Sequence, residues 1–282
     1  MVAPLQPKLR LKDRRRRLVW VKVAVGVSVT AIAVAAIFYV SHLPRMTVAQ
    51  VDVSGTGLVS ADDVRALVAK HLAGSYAFIV PRANALAAPL GVIRNDIQKT
   101  FPPVASASVF RKNLTTLGVV VTERKAGALW CAGAPSGELA TYSSTSTPAG
   151  KAPGACYLMD QGGFVFASGA TTTLVRFYGD ISAPEPVGGT YLEGGFVSLE
   201  KELAGIASSI QKTPREVLVD NGGEDVSVAF AEGGVVRFVR TTDSQLMVEN
   251  IASVFASQSF KENTAFEYAD FRFGDKVYVK FK

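Results

Sequence analysis

The sequence predicts an α+β protein: a single transmembrane helix, then a β-α-α-β-β module, then a mixed α/β domain built mostly on an antiparallel sheet. Three observations predict it. One long apolar run lies near the N-terminus, directly behind a cluster of cations. Between residues 46 and 124 the apolar spacing passes from every second residue to helical spacing and back again. From residue 125 onward short alternating stretches recur, many separated by glycine pairs.

The apolar run is Leu18–Val40, LVWVKVAVGVSVTAIAVAAIFYV, 23 residues with one charge, Lys22. A helix of that length is roughly 34 Å long, against a hydrocarbon core of about 30 Å. Lys22 lies in the second turn, where its stem can follow the helix while the ammonium reaches the headgroups. Trp20 at one end, and Phe38 and Tyr39 at the other, suit the two interfaces. Residues 1–17 carry Lys8, Arg10, Lys12 and Arg14 to Arg17 against Asp13, whereas only His42 and Arg45 follow the span closely. That bias places residues 1–17 in the cytoplasm and the remainder outside the cell membrane, a single-pass arrangement. Ala33-Val34-Ala35 also resembles a secretory cleavage site. The apolar run continues past it through Ile37 to Val40, which favours a retained anchor; a mature protein starting at Ala36 would overturn that reading.

The formal charge is +6, from 30 Lys and Arg against 24 Asp and Glu. Residues 1–17 hold seven of those cations and one anion, which leaves 23 of each sign in the rest of the chain. The basicity is therefore an orientation signal. No basic surplus remains outside the tail to bind nucleic acid.

In the first module, Val48, Val51 and Val53 alternate within a strand running from Met46 to Gly55. Ser60 caps a helix whose first turn holds Asp62 and Asp63, where the helix dipole favours anions. Val64, Leu67, Val68 and Leu72 share one face of it, and Gly74 stops it. Tyr76 to Pro81 is a short apolar stretch. A second helix covers Ala88 to Phe101, with Leu90, Ile93 and Ile97 on one side, and Pro102-Pro103 ends it. Strands Val104–Lys112 and Thr116–Arg124 flank Asn113-Leu114, and Leu117, Val119 and Val121 share a face of the second.

Cys131 and Cys156 are the chain's two cysteines. On the outer side of a membrane such a pair predicts a disulfide, with two buried thiols as the alternative. They bracket an insert, residues 132–155, rich in Ser, Thr, Gly, Pro and Ala, which is expected to lack order of its own. A bridge at its base would hold strands Ala128–Trp130 and Tyr157–Asp160 side by side.

The second domain, residues 125–282, opens with a hairpin at Cys156–Phe166, turning at Gln161-Gly162-Gly163, and a strand at Leu174–Phe177. Ser198 is read as the cap of a helix carrying Leu199, Leu203, Ile206 and Ile210 and ending before Pro214. Strands Glu216–Asp220, Val226–Phe230 and Val235–Arg240 follow. A helix then carries Leu246, Val248, Ile251, Val254 and Phe255, and the chain ends with strands Ala265–Phe273 and Lys276–Phe281 joined at Gly274-Asp275.

Motifs for chemistry are sparse. His42 and His71 are the two histidines, and neither sits near Cys, Asp or Glu at metal-ligand spacing. The sequence holds no G-x-S-x-G and no G-x-x-x-x-G-K-[ST]. Gly55-Thr56-Gly57 follows a strand, but Ser60 occupies the third position of a dinucleotide fingerprint. Asp62-Asp63 and Glu224-Asp225 are explained by a helix start and a loop. No catalytic, metal or cofactor-binding residue and no small-molecule substrate is expected.

Four segments in order, VDVSGTGLVSADDV (Val51–Val64), VTERKAGALW (Val121–Trp130), CYLMDQGGFVF (Cys156–Phe166) and DFRFGDKVYVKF (Asp270–Phe281), carry a resemblance over nearly the whole chain. With the basic tail, the span and the two modules, it resembles the FtsQ/DivIB family of bacterial cell-division proteins, whose first module is of the POTRA type. The resemblance implies a function without catalysis: a scaffold at the division septum that links division proteins to septal wall synthesis. Its implied partners are single-span coiled-coil proteins of the FtsB/DivIC and FtsL types. In the family a late strand of the β domain pairs with a strand of the FtsB-type partner, which here falls within Arg272–Lys280. The implied contact residues are Arg272, Phe273, Lys276, Val277, Tyr278, Val279 and Lys280. A terminal strand is commonly a sheet edge, offering free N–H and C=O groups to another chain. Val277 and Val279 are expected to face the core, while Phe273 and Tyr278 are open between core and contact. The cysteine-bracketed insert departs from the family pattern. Two other readings remain, a POTRA protein of secretion or envelope assembly and, more distantly, an anchored extracytoplasmic hydrolase.

Overall fold

The computed structural model describes residues 11–135, 137–142, 154–181, 183–240, 243–262, 265–274 and 276–282. The chain forms two compact units that divide between Thr122 and Glu123.

The first unit begins with helix α1 (Leu11–Ser41). Its stretch Arg15–Ser41 is long and apolar enough to cross a membrane, and it is the one such helix among the described residues. A short 3-10 turn, Pro44–Met46, follows. Then come β1 (Gln50–Ser54), α2 (Ala61–Leu72), β2 (Ser75–Tyr76), β3 (Val80–Pro81), α3 (Leu90–Thr100), β4 (Val104–Arg111) and β5 (Thr116–Glu123). The first strand starts later than the alternation predicts. Pro44 favours the turn, and the Val48 N–H is used by the Ala83 carbonyl at 2.8 Å.

The Ser60 hydroxyl accepts the Asp62 N–H and caps α2, a contact worth about 1 kcal/mol. Val64, Val68, Ile93 and Ile97 are fully buried, so both helices pack on a sheet ordered β1-β5-β4. Leu117, Val119 and Val121 form its inner face, and β1 runs parallel to β5. Gly55 has φ +81°, and a Cβ there would stand 2.0 Å from the Val121 carbonyl oxygen, so no other residue fits.

Strands β2 and β3 form a two-rung hairpin that takes in Ser75 and the apolar stretch Tyr76–Pro81. Its turn residues Ala77 and Phe78 both have positive φ, 47° and 61°. For residues with a Cβ this costs roughly 1–2 kcal/mol each.

The second unit contains β6 (Ala128–Cys131), a 3-10 turn at Gly137–Tyr142, β7 (Cys156–Met159), β8 (Val165–Ser168), β9 (Arg176–Tyr178), α4 (Phe196–Ile210), β10 (Pro214–Asp220), β11 (Asp225–Phe230), β12 (Val235–Val239), α5 (Ser244–Phe255), α6 (Gln258–Glu262), β13 (Phe266–Phe273) and β14 (Lys276–Phe281). Nine strands form one sheet, ordered β14-β13-β12-β11-β10-β9-β6-β7-β8. Five of its pairings are antiparallel and three parallel, so the sheet is mostly antiparallel.

Alternate residues of the strands build two cores. Trp130, Val217, Val219, Val228 and Phe238 pack with Leu199, Leu203, Ile206, Met247 and Ile251 of the helices. Leu129, Cys131, Leu218, Ala229 and Val235 form a second cluster with Leu139, from the cysteine-bracketed insert. Part of that insert therefore has a defined place. Leu139 is fully buried, the Glu138 carboxylate accepts the Gly234 N–H at 3.1 Å, and Tyr142 lies beneath the Arg237 guanidinium. Residues 136 and 143–153 of the insert lie outside the described residues. In the register Cys131 stands opposite Cys156, and their sulfurs are bonded at 2.02 Å.

Helix α4 does not start at Ser198. It starts at Phe196, and the Ser198 hydroxyl donates back to the Gly195 carbonyl at 2.9 Å. Phe196 stacks edge-on against Phe177 and Tyr191, and burial of that ring draws the helix start upstream. Helix α6 has no counterpart in the sequence reading; Phe260 seals the core there against Phe255, Phe266 and Phe281.

Candidate functional site

The two ends of the nine-stranded sheet are treated differently. At one end β8 is covered by its own chain: the Val165 N–H donates to Gly189, the Gly188 N–H to Val165, and the Tyr191 N–H to Gly163. At the other end β14 pairs with β13 alone, and among the described residues no strand lies beyond it.

The direction of the free groups on β14 follows from its register. Successive N–H groups along a strand point to opposite sides. The Lys282 N–H donates to the Ala265 carbonyl at 3.1 Å, towards β13. Both irregularities in the β13–β14 register add a residue on β13, so β14 keeps strict alternation. The N–H groups of Lys276, Tyr278 and Lys280 therefore face β13, and those of Val277, Val279 and Phe281 face outward.

The side chains alternate as well. Val279 and Phe281 are half-buried against the helix-side core. Val277 lines a groove of about 610 Å³ between α5 and the β13–β14 end, with Leu246, Asn250, Val254 and Phe271. Lys276, Tyr278 and Lys280 are exposed. Phe273 and Tyr278 are 54% and 50% exposed, so neither is core, and their rings meet edge to face at 5.2 Å. The Lys280 ammonium pairs with Glu267 at 2.7 Å, and this hydrogen bond pushes its pKa up.

Arg272 is placed otherwise. Its guanidinium binds Asp270 at 2.9 Å and Asp225 at 3.3 Å, and lies over the Phe273 ring. The bond to Asp270 raises its pKa. Asp270 is buried and also accepts Arg237 at 3.0 Å, while Arg237 donates to Ser227 at 3.3 Å. Burial lowers the Arg237 pKa and raises that of Tyr142 beneath it. A polar row thus crosses four strands, from Ser227 through Arg237 and Asp270 to Tyr278 opposite it on β14. Arg272 spends its charge inside this row and holds the hairpin that carries Phe273.

The structure thus brings Phe273, Lys276, Val277, Tyr278, Val279 and Lys280 together along one edge. The sequence reading missed the groove beside them. In the sequence Leu246 is simply one of the apolar positions of α5; its 53% exposure beside the groove emerges only in the structure. His42 hydrogen-bonds the Phe38 carbonyl at the end of α1, and His71 meets Asp96 at 2.6 Å between α2 and α3. Among the described residues no three His, Cys, Asp or Glu side chains cluster as metal ligands would.

Comparison with protein-family models and with curated proteins yields no match to this chain.

Proposed function

We propose that this protein is a membrane-anchored, non-enzymatic scaffold of the FtsQ/DivIB type, which gathers other single-span division proteins at the septum. The open edge of β14 carries this reading. It presents outward N–H groups at Val277 and Val279, flanked by exposed Phe273 and Tyr278. An extended partner segment can add to such an edge, with main-chain bonds for affinity and side chains for selectivity. Aromatics supply most of the energy in such contacts. The expected partners are FtsB/DivIC- and FtsL-type proteins, and the first unit is read as a POTRA-type module.

The tail's cations favour a cytoplasmic N-terminus, with the chain beyond α1 on the outer side of the membrane. The anchor confines the search for partners to the membrane plane. The decisive experiment is a fluorescent fusion expressed in its native cell. Concentration at midcell before constriction is the expected result; uniform distribution around the envelope overturns the proposal.

A further inference from the structure

Phe78 and Leu86 are 93% and 65% exposed, the two most exposed large apolar side chains outside the span among the described residues. Both lie beside the outer end of α1. The Ser41 hydroxyl reaches the Ile79 carbonyl at 3.4 Å, and the buried Asn84 amide donates to the Ser41 carbonyl at 3.0 Å. Ile37 and Val40 of α1 share an open apolar hollow with Val80, Leu86 and Ala87.

That contact sets a depth. If the hydrocarbon begins at Leu18, just past the arginine run, its thickness of about 30 Å is used up after about 20 residues, near Ile37. Side chains that pack beside Ile37 and Val40 therefore stand at headgroup level.

The hairpin tip is costly in water. Ala77 and Phe78 occupy left-handed conformations that Asn-Gly adopts with less strain, yet the chain places a phenylalanine there, almost wholly exposed. The same hairpin carries Tyr76, and Arg82 directly after it stacks over the Tyr76 ring. Aromatic and basic side chains together are the composition of a membrane interface.

We propose that the β2–β3 hairpin inserts Phe78 into the lipid headgroup and upper acyl region, fixing how the first unit sits on the bilayer. This rests on α1 being a retained transmembrane anchor. The occupant is lipid because the surface continues from the span itself.

The test uses the full chain reconstituted in phosphatidylcholine/phosphatidylglycerol vesicles containing nitroxide lipids. An environment-sensitive fluorophore is placed on Ser75→Cys, one rung from the turn, and separately on Ile32→Cys within the span. Both labels should be quenched and blue-shifted, and adding Phe78→Ser should return the Ser75 label most of the way to its aqueous signal. A quenched Ile32 label with an aqueous Ser75 label overturns the insertion while leaving the anchor intact. A Ser75 label indifferent to Phe78→Ser overturns the role of Phe78. Quenching that vanishes as protein is diluted in lipid assigns the patch to a second copy of the chain, against the proposal. An aqueous Ile32 label removes the anchor, and the inference with it.

Discussion

Phe273 and Tyr278 meet edge to face, 5.2 Å apart, across the end of the β13–β14 hairpin, each with about half its surface in water. They stand on the face that also carries Lys276 and Lys280, beside outward N–H groups. On the proposed scaffold function, this exposed aromatic pair at the strand edge anchors an incoming partner strand. Tyr278→Ala should weaken binding of an FtsB/DivIC-type partner at least tenfold, measured by titration calorimetry. The loss of fold stability should stay at about 1 kcal/mol, the size of one aromatic pair.

Proline substitutions on β14 separate the two sides of the strand. Val279→Pro removes an outward donor, so pairing with β13 should persist and the partner should no longer bind. Tyr278→Pro removes a donor that faces β13 and should loosen the hairpin itself. Amide exchange along β13 distinguishes them: slow exchange retained in the first variant, lost in the second. Equal exchange in both would refute the assigned register.

The Cys131–Cys156 bond closes a loop with a sequence separation of 25, for which chain entropy predicts about 3 kcal/mol. Intact mass without reductant should be two hydrogens lighter than with it. Leu139→Ala, inside the bracketed insert, should cost about 2–5 kcal/mol in urea unfolding because its side chain is fully buried. A linker that merely loops through solvent would show no loss.

Glu202 on α4 is buried, and its Oε2 finds no hydrogen-bond partner among the described residues. Burial raises its pKa, and Arg240 offsets this only in part. The folded state then holds the proton more tightly than the unfolded chain. Stability should fall as pH rises from the ordinary carboxylate range through the raised folded value. Glu202→Gln should therefore raise the urea midpoint at pH 7, and the gain should shrink towards pH 4.

Much of the fold was legible because local periodicity is physical. Val64 and Val68 on α2, Leu117, Val119 and Val121 on β5, and the hairpin at Gln161-Gly162-Gly163 all fall where spacing put them. The misplaced boundaries have tertiary causes. Phe196 extends α4 past Ser198 because its ring completes an aromatic cluster, and Pro44 turns the chain before β1 can begin. Arg272, a contact residue by resemblance, pairs with Asp270 and Asp225, and with Arg237 this forms an ion network assembled from three strands. No local pattern announces such a network.

The sequence by itself determined the apolar helix, the placement of net charge in the first 17 residues, and the alternation of strands and helices, since each depends on neighbours within a few positions. Only the tertiary structure decided that β8 is covered while β14 has no further strand beside it among the described residues, that Leu139 closes the second core, and that Phe78 projects beside the end of α1. Strand order and exposure depend on which distant segments meet, and that is settled by packing of the whole chain.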